Sequence, residues 1–321
     1  MIEVIKPGLE TSVQELPGRL GYWAQGFPPS GPMDAWSFRM ANLLVGNKRD
    51  TAALECQFIG PSLRVSQDGW AAVTGADMGA TLDGVPVEAW VSLPVRAGQT
   101  LALGGAKAGA RGYVAFAGGI DVPQVLGSRA TFHMAGVGGY ALRAGQRLAL
   151  GPAGPVRPCR VPEAARPAIP RTRTWTVEAV RGPNDSWLTG EAIARFYGSD
   201  WTVQAKSSRT GIRLTGPAFT FAERAFHKRP EHGQDPSNIL DHGYPLGAVN
   251  LAGQTPIILV NDAPSTGGFV NPFTVASAAF WKLAHARPGD VLRFREVTVR
   301  EAQDLRRAMD ALCHEDSLAE V

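Results

Sequence analysis

Short apolar stretches that alternate with small or polar residues run through most of the chain, and glycine or proline separates them. Between 54 and 150, apolar residues two positions apart recur, as in Leu101 and Leu103 or Val114 and Phe116. This period of two predicts β-strands with one buried face. The 37 glycines and 24 prolines favour many short strands and turns over long helices. Further strands are predicted at 2–6, 12–15, 175–180, 201–206, 247–252 and 256–260.

Helical spacing occurs in only a few places. Asp34 is a candidate N-cap for a helix with the apolar stripe Trp36, Met40, Leu43 and Leu44. A second helix is predicted within 185–199. A third is predicted to follow Thr274 as its N-cap, and a fourth to occupy 298–321. The fold class predicted from these patterns is mainly β with a few short helices.

Repeated phrases indicate two related β domains. A basic residue, a glycine turn and a strand recur at 95–104, 142–151 and 286–295, and a second phrase recurs at 60–65 and 216–221. Residues 151–173 carry six prolines and little periodicity, which is typical of an extended connector. The predicted domains are therefore 1–155 and 174–297, with a connector at 156–173 and a C-terminal helix at 298–321.

Composition and charge exclude several classes of function. The chain is 44% hydrophobic and 19% charged, with a formal charge of only +3 from scattered arginines. These values are typical of a globular protein and give no support for binding to nucleic acid or to a membrane. No apolar run approaches the roughly 18 residues that span a bilayer. The three cysteines are far apart, so a reduced, cytoplasmic setting is expected.

Well-known catalytic and cofactor motifs are absent from the sequence. It contains no phosphate-binding GxxxxGK[ST], no GxGxxG, no HExxH and no GxSxG. His227, His232 and His242 are near one another, but they lie on an irregular stretch without metal-ligand spacing. We therefore predict no metal site.

The residues from 237 to 283 carry the densest set of candidate site residues. Asn261 and Asp262 follow a predicted buried strand, and Ser265, Thr266, Gly267 and Gly268 come next. Paired glycines allow backbone N–H groups to approach a ligand closely. The alternative is a tight turn that Asp262 merely caps.

A stiff loop with three prolines, 26–33, precedes Asp34. We expect it to form one wall of the site, with Ser30 contributing a hydroxyl. The alternative for Asp34 is that it acts only as a helix cap.

Both regions resemble the carboxyltransferase region of biotin-dependent urea carboxylases. The resemblance rests on SNILDHGYPLGAVNL, NDAPSTGGFVNPFTV and FWKLAHARPGD, and on residues 8–47 near the other end. It covers roughly 8–296. The wider family, known as the allophanate hydrolase subunit 2 family, also contains the C component of bacterial 5-oxoprolinase and a partner of a kinase inhibitor. Its usual fold implies two cyclophilin-like β-barrel domains here.

The resemblance implies transfer of a carboxyl group from carboxybiotin to an amide-like nitrogen. No lysine has the Met-Lys-Met setting of a biotin attachment site, so biotin would be held by a partner carrier and ATP used by a partner only. The implied partners are a homologous β-domain protein, of the type found as the B component, and either a biotin carboxylase with its carrier or a lactam-hydrolase A component.

The same resemblance suggests roles for the candidate residues. Asp262 and Asp241 would hold the substrate nitrogens. Asn238, Asn250 and Arg209 would orient the carbonyl or the transferred carboxylate, and the segment from Ser265 to Gly268 would supply loop donors. The alternatives are an Asx-type cap for Asp241 and Asn238 and a structural ion pair for Arg209.

Three functions remain open at this point. The first is the carboxyltransferase component for urea or a urea-like substrate. The second is the C component of an ATP-dependent 5-oxoprolinase, and the third is a non-catalytic regulatory partner. Residues 222–235 depart most from the urea carboxylase pattern, which leaves the substrate undefined.

Overall fold

The computed structural model describes residues 1–321, which form 23 strands and four α-helices. The first strands are β1 (Ile2–Lys6), β2 (Glu10–Gln14), β3 (Ala53–Gln57), β4 (Ser62–Val65), β5 (Gly69–Asp77), β6 (Thr81–Leu82), β7 (Val85–Pro86), β8 (Leu93–Val95), β9 (Thr100–Ala102), β10 (Ala108–Phe116), β11 (Ile120–Asp121), β12 (Arg147–Leu150) and β13 (Cys159–Arg160). The remaining strands are β14 (Thr174–Arg181), β15 (Asp200–Val203), β16 (Gly211–Thr215), β17 (Asn238–Gly243), β18 (Ala248–Ala252), β19 (Thr255–Leu259), β20 (Thr266–Phe269), β21 (Phe273–Val275), β22 (Val291–Glu296) and β23 (Ala319–Glu320). The helices are α1 (Ala35–Leu44), α2 (Gly190–Gly198), α3 (Phe280–His285) and α4 (Val299–Leu312). The predicted mainly β fold class is confirmed.

The chain divides into two compact units. The first comprises Met1–Leu20, Pro29–Ile169 and Met309–Val321, and the second comprises Gly21–Pro28 and Pro170–Ala308. Most of the proline-rich segment therefore packs with the first unit, where β13 pairs with β23. None of the four helices is long and apolar enough to cross a membrane.

The first unit contains a seven-stranded sheet, in the order β11-β12-β1-β4-β9-β6-β7, and a five-stranded sheet, in the order β2-β3-β10-β5-β8. Strand alternation gives the second sheet two buried faces. Val114 and Phe116 of β10 share one core with residues of the seven-stranded sheet, whereas Tyr113 and Ala115 pack on the other face with α1. Asp34 caps α1 as predicted, because its Oδ1 accepts the N–H groups of Trp36 and Ser37.

The second unit contains a closed barrel of seven strands in the order β14-β21-β18-β19-β16-β15-β22. The parallel pair β14 and β22 completes it. Phe196 of α2 is fully buried and stacks on Phe273 of β21, with ring centroids 3.7 Å apart, and on Phe294 of β22, at 4.3 Å. Aromatic packing thus joins the helix to two strands of the barrel.

Two local predictions in the second unit are wrong. Thr274 does not cap a helix. It lies in β21, where its backbone pairs with Ala248 and Val180, and α3 begins only at Phe280. The predicted loop through Gly267 and Gly268 is strand β20, which pairs with β17. In both cases the pairing of strands distant in sequence outweighs the local signals.

The repeated phrases have mixed outcomes. The three turn-plus-strand phrases are confirmed, since each contains a strand at its end: β9, β12 and β22. The second phrase forms β4 at its first occurrence, whereas residues 216–221 form no strand. Residues 222–235 contain two short 3-10 helices, Glu223–Ala225 and Pro230–His232.

We expect Phe196→Ala to lower the free energy of unfolding by about 3–5 kcal/mol, because it removes a ring from a packed aromatic core. Urea denaturation of the whole chain, followed by circular dichroism, measures this change. Phe226→Ala is the control, because that side chain is 63% exposed. Equal effects of the two substitutions would contradict the role assigned to Phe196.

Candidate functional site

A pocket of about 320 Å³ lies on the second unit, on the face of β16, β18 and β19 that points away from the barrel core. Ile212, Ile258 and Val249 are paired across these strands and are buried on the core face. Their neighbours face the pocket, as the alternation of side chains requires. The lining comprises Lys206, Ser208, Thr210, Gly211, Arg213, Tyr244, Asn250, Ile257, Leu259, Pro264, Thr266, Gly267, Gly268 and Phe269.

The floor of the pocket is a row of three residues on adjacent strands. Asn250 of β18 lies directly opposite Ile257 of β19, which in turn lies opposite Arg213 of β16. Directly opposed residues share a face of the sheet. Asn250 and Arg213 are two strand spacings apart, so their Cα atoms are separated by about 9–10 Å. An amide and a guanidinium therefore stand at opposite ends of an apolar side chain.

Asn250 is the polar residue on this floor that lies deepest. Its side chain is only 3% exposed, and its Oδ1 is buried without a hydrogen-bond partner. A buried carbonyl oxygen without a partner in the protein costs stability, and a water molecule or a ligand can satisfy it. The oxygen is available to accept an N–H from a bound molecule.

Tyr244 anchors the two-stranded sheet of β17 and β20 beside the pocket. Its hydroxyl accepts the N–H of Phe269 at 2.7 Å and donates to the carbonyl oxygen of Phe269 at 3.2 Å. Burial raises the pKa of Tyr244 above the usual value of a phenol, so the hydroxyl can donate as well as accept. The backbone N–H of Tyr244 donates to the carbonyl oxygen of Ser265 at 2.8 Å, which anchors the start of β20.

The two glycines of β20 are required by close packing. A Cβ on Gly267 would lie 2.5 Å from Cε2 of Tyr244, and one on Gly268 would lie 3.0 Å from the carbonyl oxygen of Ile239. Neither glycine has a positive φ angle. Their small size therefore lets β20 lie directly on the tyrosine ring and against β17.

Arg209 and Asp262 form a buried ion pair beside the pocket. The guanidinium donates from Nε to Oδ2 at 2.9 Å and from Nη2 to Oδ1 at 3.3 Å. The two side chains are only 5% and 3% exposed. The backbone N–H of Asp262 also donates to the carbonyl oxygen of Arg209 at 2.8 Å. The pair therefore joins the segment that carries Ser208 and Thr210 to the segment that carries Pro264.

The charged side chains of the lining are both cations. Neither Lys206 nor Arg213 makes a side-chain hydrogen bond or an ion pair, and the lining includes no carboxylate. The nearby Arg209 and Asp262 neutralise each other. The pocket is consequently positive, which favours an anionic group in its ligand.

The comparisons with known proteins cover nearly the whole chain. The family model described as carboxyltransferase domain, subdomain A and B, matches residues 25–296. The chain belongs to this carboxyltransferase family.

Two relatives from this family lie on different branches. The urea amidolyase of Saccharomyces cerevisiae is 39% identical over 320 residues, which is 96% of this chain but 17% of that protein. The C component of the 5-oxoprolinase of Escherichia coli is 33% identical over 321 residues, 97% of each chain. The chain therefore spans a small part of the first relative and nearly all of the second.

A solved structure of a urea carboxylase is also similar to this chain. The crystal structure of the urea carboxylase of Kluyveromyces lactis matches all of this chain and 30% of its own, with a TM-score of 0.93 and 38% identity. The match includes the residues of both units.

The carboxyltransferase fold brings together part of the site predicted from the sequence. Thr266, Gly267, Gly268 and Asn250 line the pocket. Arg209 and Asp262 lie beside it, bound to each other.

The other predicted residues lie outside the lining. Asp241 is exposed on β17, with its Oδ1 next to Gly268. Asn238 begins β17, and its carbonyl oxygen accepts from Nζ of Lys228 at 2.7 Å. Ser30 belongs to the first unit, where it is buried with a φ of 56°. The roles assigned to these residues stay predictions.

Sequence reasoning missed Tyr244, Lys206 and Arg213. Tyr244 follows the SNILDHG phrase directly, and an aromatic residue with a polar end so close to candidate ligands is a usable signal. Arg213 interrupts the apolar residues Ile212 and Leu214, so strand alternation places it on the face opposite to theirs. Lys206 carries no comparable signal.

Metal-ligating and thiol groups do not gather at this pocket. The structure contains no cluster of three His, Cys, Asp or Glu side chains that could hold a metal ion. Cys56, Cys159 and Cys313 are buried free thiols, and burial raises the pKa of Cys56 to about 12.

We expect Asp262→Asn to lower the free energy of unfolding by about 3–5 kcal/mol, because it leaves the buried guanidinium of Arg209 without its counter-charge. Asp200→Asn is a matched control. Asp200 pairs with Arg293 through two similar hydrogen bonds, but both side chains are more than half exposed. Solvent screens that pair, so little change is expected from its loss. Equal losses measured by urea denaturation would show that burial does not govern the energy of the pair.

We expect Gly267→Ala to displace Tyr244 and thereby release the amide of Phe269. Loss of that hydrogen bond should speed hydrogen exchange of Phe269 by about 5-fold or more. Gly243→Ala on the paired strand is the control, because a Cβ there meets nothing within 4 Å. NMR or mass spectrometry measures hydrogen exchange in residues 266–270. An unchanged rate in Gly267→Ala would contradict the close contact between residue 267 and Tyr244.

Proposed function

We propose that this chain is the carboxyltransferase component of a biotin-dependent carboxylase that acts on urea or a urea-like amide nitrogen. Its partners would be a biotin carboxylase and a carrier that holds biotin. The observation that carries the proposal is Asn250, whose buried, unsatisfied oxygen lies in a pocket of the size that small molecules occupy. The likeness to urea carboxylase along the whole chain supports the same reaction.

The residues of the pocket fit both reactants of such a transfer. An amide or urea presents N–H groups, which need acceptors such as Oδ1 of Asn250. A carboxyl group presents oxygens, which need donors, and Arg213 and the hydroxyls of Ser208 and Thr266 can supply them. Biotin, when a carrier delivers it in carboxylated form, supplies the carboxyl group and a ring nitrogen that can take a proton.

The transfer needs little acid or base from the protein. The carboxyl group would pass from the donor nitrogen to the substrate nitrogen, and the donor nitrogen would take the proton that the substrate nitrogen loses, so atoms and charge would balance. The chain's contribution is to hold the substrate N–H against Asn250 and to keep the reacting atoms together.

Asp262 has an indirect role in this proposal. Its two oxygens are bound by Arg209, so they orient the loops beside the pocket. It is a positioning residue, whereas Asp241, exposed beside Gly268, is the carboxylate near the pocket that is not in a buried pair.

Asn250→Leu should lower kcat/KM for carboxyl transfer to urea by about 100-fold, because the substrate loses the acceptor that holds its N–H. The free energy of unfolding should fall by only about 1 kcal/mol, since the lost oxygen has no partner in the protein and the side chain makes one hydrogen bond, to Tyr244. The assay follows bicarbonate incorporation in a complex reconstituted with biotin carboxylase, carrier and ATP.

Asn271→Leu is the matched control for this experiment. Asn271 is fully buried and its side-chain atoms also have no hydrogen-bond partner, but it does not line the pocket. It should leave transfer unchanged. If both variants lose activity equally, or if Asn250→Leu retains normal turnover, Asn250 has no part in the reaction.

A second candidate function is the C component of an ATP-dependent 5-oxoprolinase. The alignment with that component from Escherichia coli covers 97% of both chains, which favours it. Reconstitution with the A and B components and an assay of ATP-dependent ring opening of 5-oxoproline tests this function. Association with neither set of partners would favour the non-catalytic role.

A further inference from the structure

Two positive side chains at the pocket have no partner within the protein. Arg213 stands on the floor in line with Asn250, and Lys206 lies on the segment before Ser208. Other arginines in the same unit are paired, such as Arg181 with Glu296 and Arg293 with Asp200. Exposed cations such as Arg171 and Arg229 are unpaired as well, and Lys206 is exposed. Arg213 is only partly exposed and lines a pocket, so a bound anion would supply the partner that it lacks.

The acidic groups around the pocket make no ion pair with these cations. Asp262 is bound by Arg209, and both are buried. Asp241 is exposed on β17 and is not part of the lining. The hydroxyls of Ser208, Thr210 and Thr266 add donors to the same pocket. The floor thus presents an N–H acceptor at one end and a cation at the other.

We propose that this pocket binds a small molecule that carries a carboxylate, with the carboxylate on Arg213 and Lys206 and an amide-type N–H on Asn250. The inference deepens the proposed function and rests on it for the reaction. Neutral urea would fill only the Asn250 end. A ureido acid would supply both groups, as would 5-oxoproline, the substrate of the second candidate function.

Binding to the 321-residue chain tests the inference without the reaction. The probes are N-carbamoylglycine and its uncharged amide, which differ only at the carboxylate, and pyroglutamate with its amide as a second pair. Calorimetry should show that each acid binds at least about 10-fold more tightly than its amide, because charge-assisted hydrogen bonds are lost in the amide. Added salt should weaken binding of the acids only.

Arg213→Gln and Lys206→Gln should each lower the affinity for the acids by about 10-fold and leave the affinity for the amides unchanged. Arg171→Gln, at an exposed cation of the same unit away from the pocket, is the control and should change neither. The inference is overturned if acid and amide bind equally, if neither acid binds saturably, or if the two pocket variants behave like the control.

The carboxylate could belong to the acceptor, or it could be the group being transferred. Kinetics in the reconstituted complex distinguish these sources. If the acceptor carries it, Arg213→Gln raises KM for N-carbamoylglycine and leaves urea unaffected. If it is the transferred group, kcat falls equally for both acceptors.

The same experiments separate this inference from the proposed function. If the acids bind through Arg213 but no acceptor is carboxylated, the function fails and the anion site stands. If urea and N-carbamoylglycine are carboxylated by Arg213→Gln with normal kcat and KM, the function stands and the anion site is overturned.

Discussion

Closure of the barrel in the second unit is the constraint on which the candidate site depends. Seven strands joined through the parallel pair β14 and β22 leave no free edge, so alternate residues must fill the core and the others must face away. A slip of one residue in β16 would bury Arg213 and expose Ile212, at the cost of a charge without a partner in the core. The hydrophobic core therefore specifies where the amide of Asn250 and the guanidinium of Arg213 stand.

The charge of the pocket follows from which ions are already paired. A buried ion pair such as Arg209 with Asp262 contributes no net charge, and desolvation of both partners limits what it adds to stability. Its effect is geometric, since it holds two loops in one arrangement. The cations that can act on a ligand are those without a carboxylate partner, so the electrostatic character of the site is set by Lys206 and Arg213.

Much of the fold was predictable because its signals are local or periodic. Strand alternation predicted β1, β14, β18 and β19, and Asp34 predicted the start of α1. Thr274 misled because a cap signal is local, whereas the pairing of β21 with β14 and β18 joins residues far apart in sequence. No local pattern contains that information.

The candidate site was predictable to the extent that its residues lie in one stretch. Thr266, Gly267, Gly268 and Asn250 are within twenty residues of one another, and they do line one pocket. The sequence left two interpretations of Arg209 open, a ligand-binding residue or a structural ion pair. The structure shows that it pairs with Asp262, 53 residues away. Strand alternation alone could have placed Arg213 on the outer face. Its position opposite Ile257 and in line with Asn250 depends on the register of β16, β18 and β19, which the sequence does not reveal.

The names of the two relatives, urea amidolyase and 5-oxoprolinase, point to ligands that differ in charge. Urea and 5-oxoproline both present an N–H beside a carbonyl, so the amide of Asn250 serves either equally well. They differ in that 5-oxoproline carries a carboxylate and urea does not. Discrimination between such ligands depends on whether a buried or partly buried charge would be left unpaired. If the pocket binds either ligand as proposed, the difference would rest on Arg213, because a neutral ligand would leave its guanidinium without a partner.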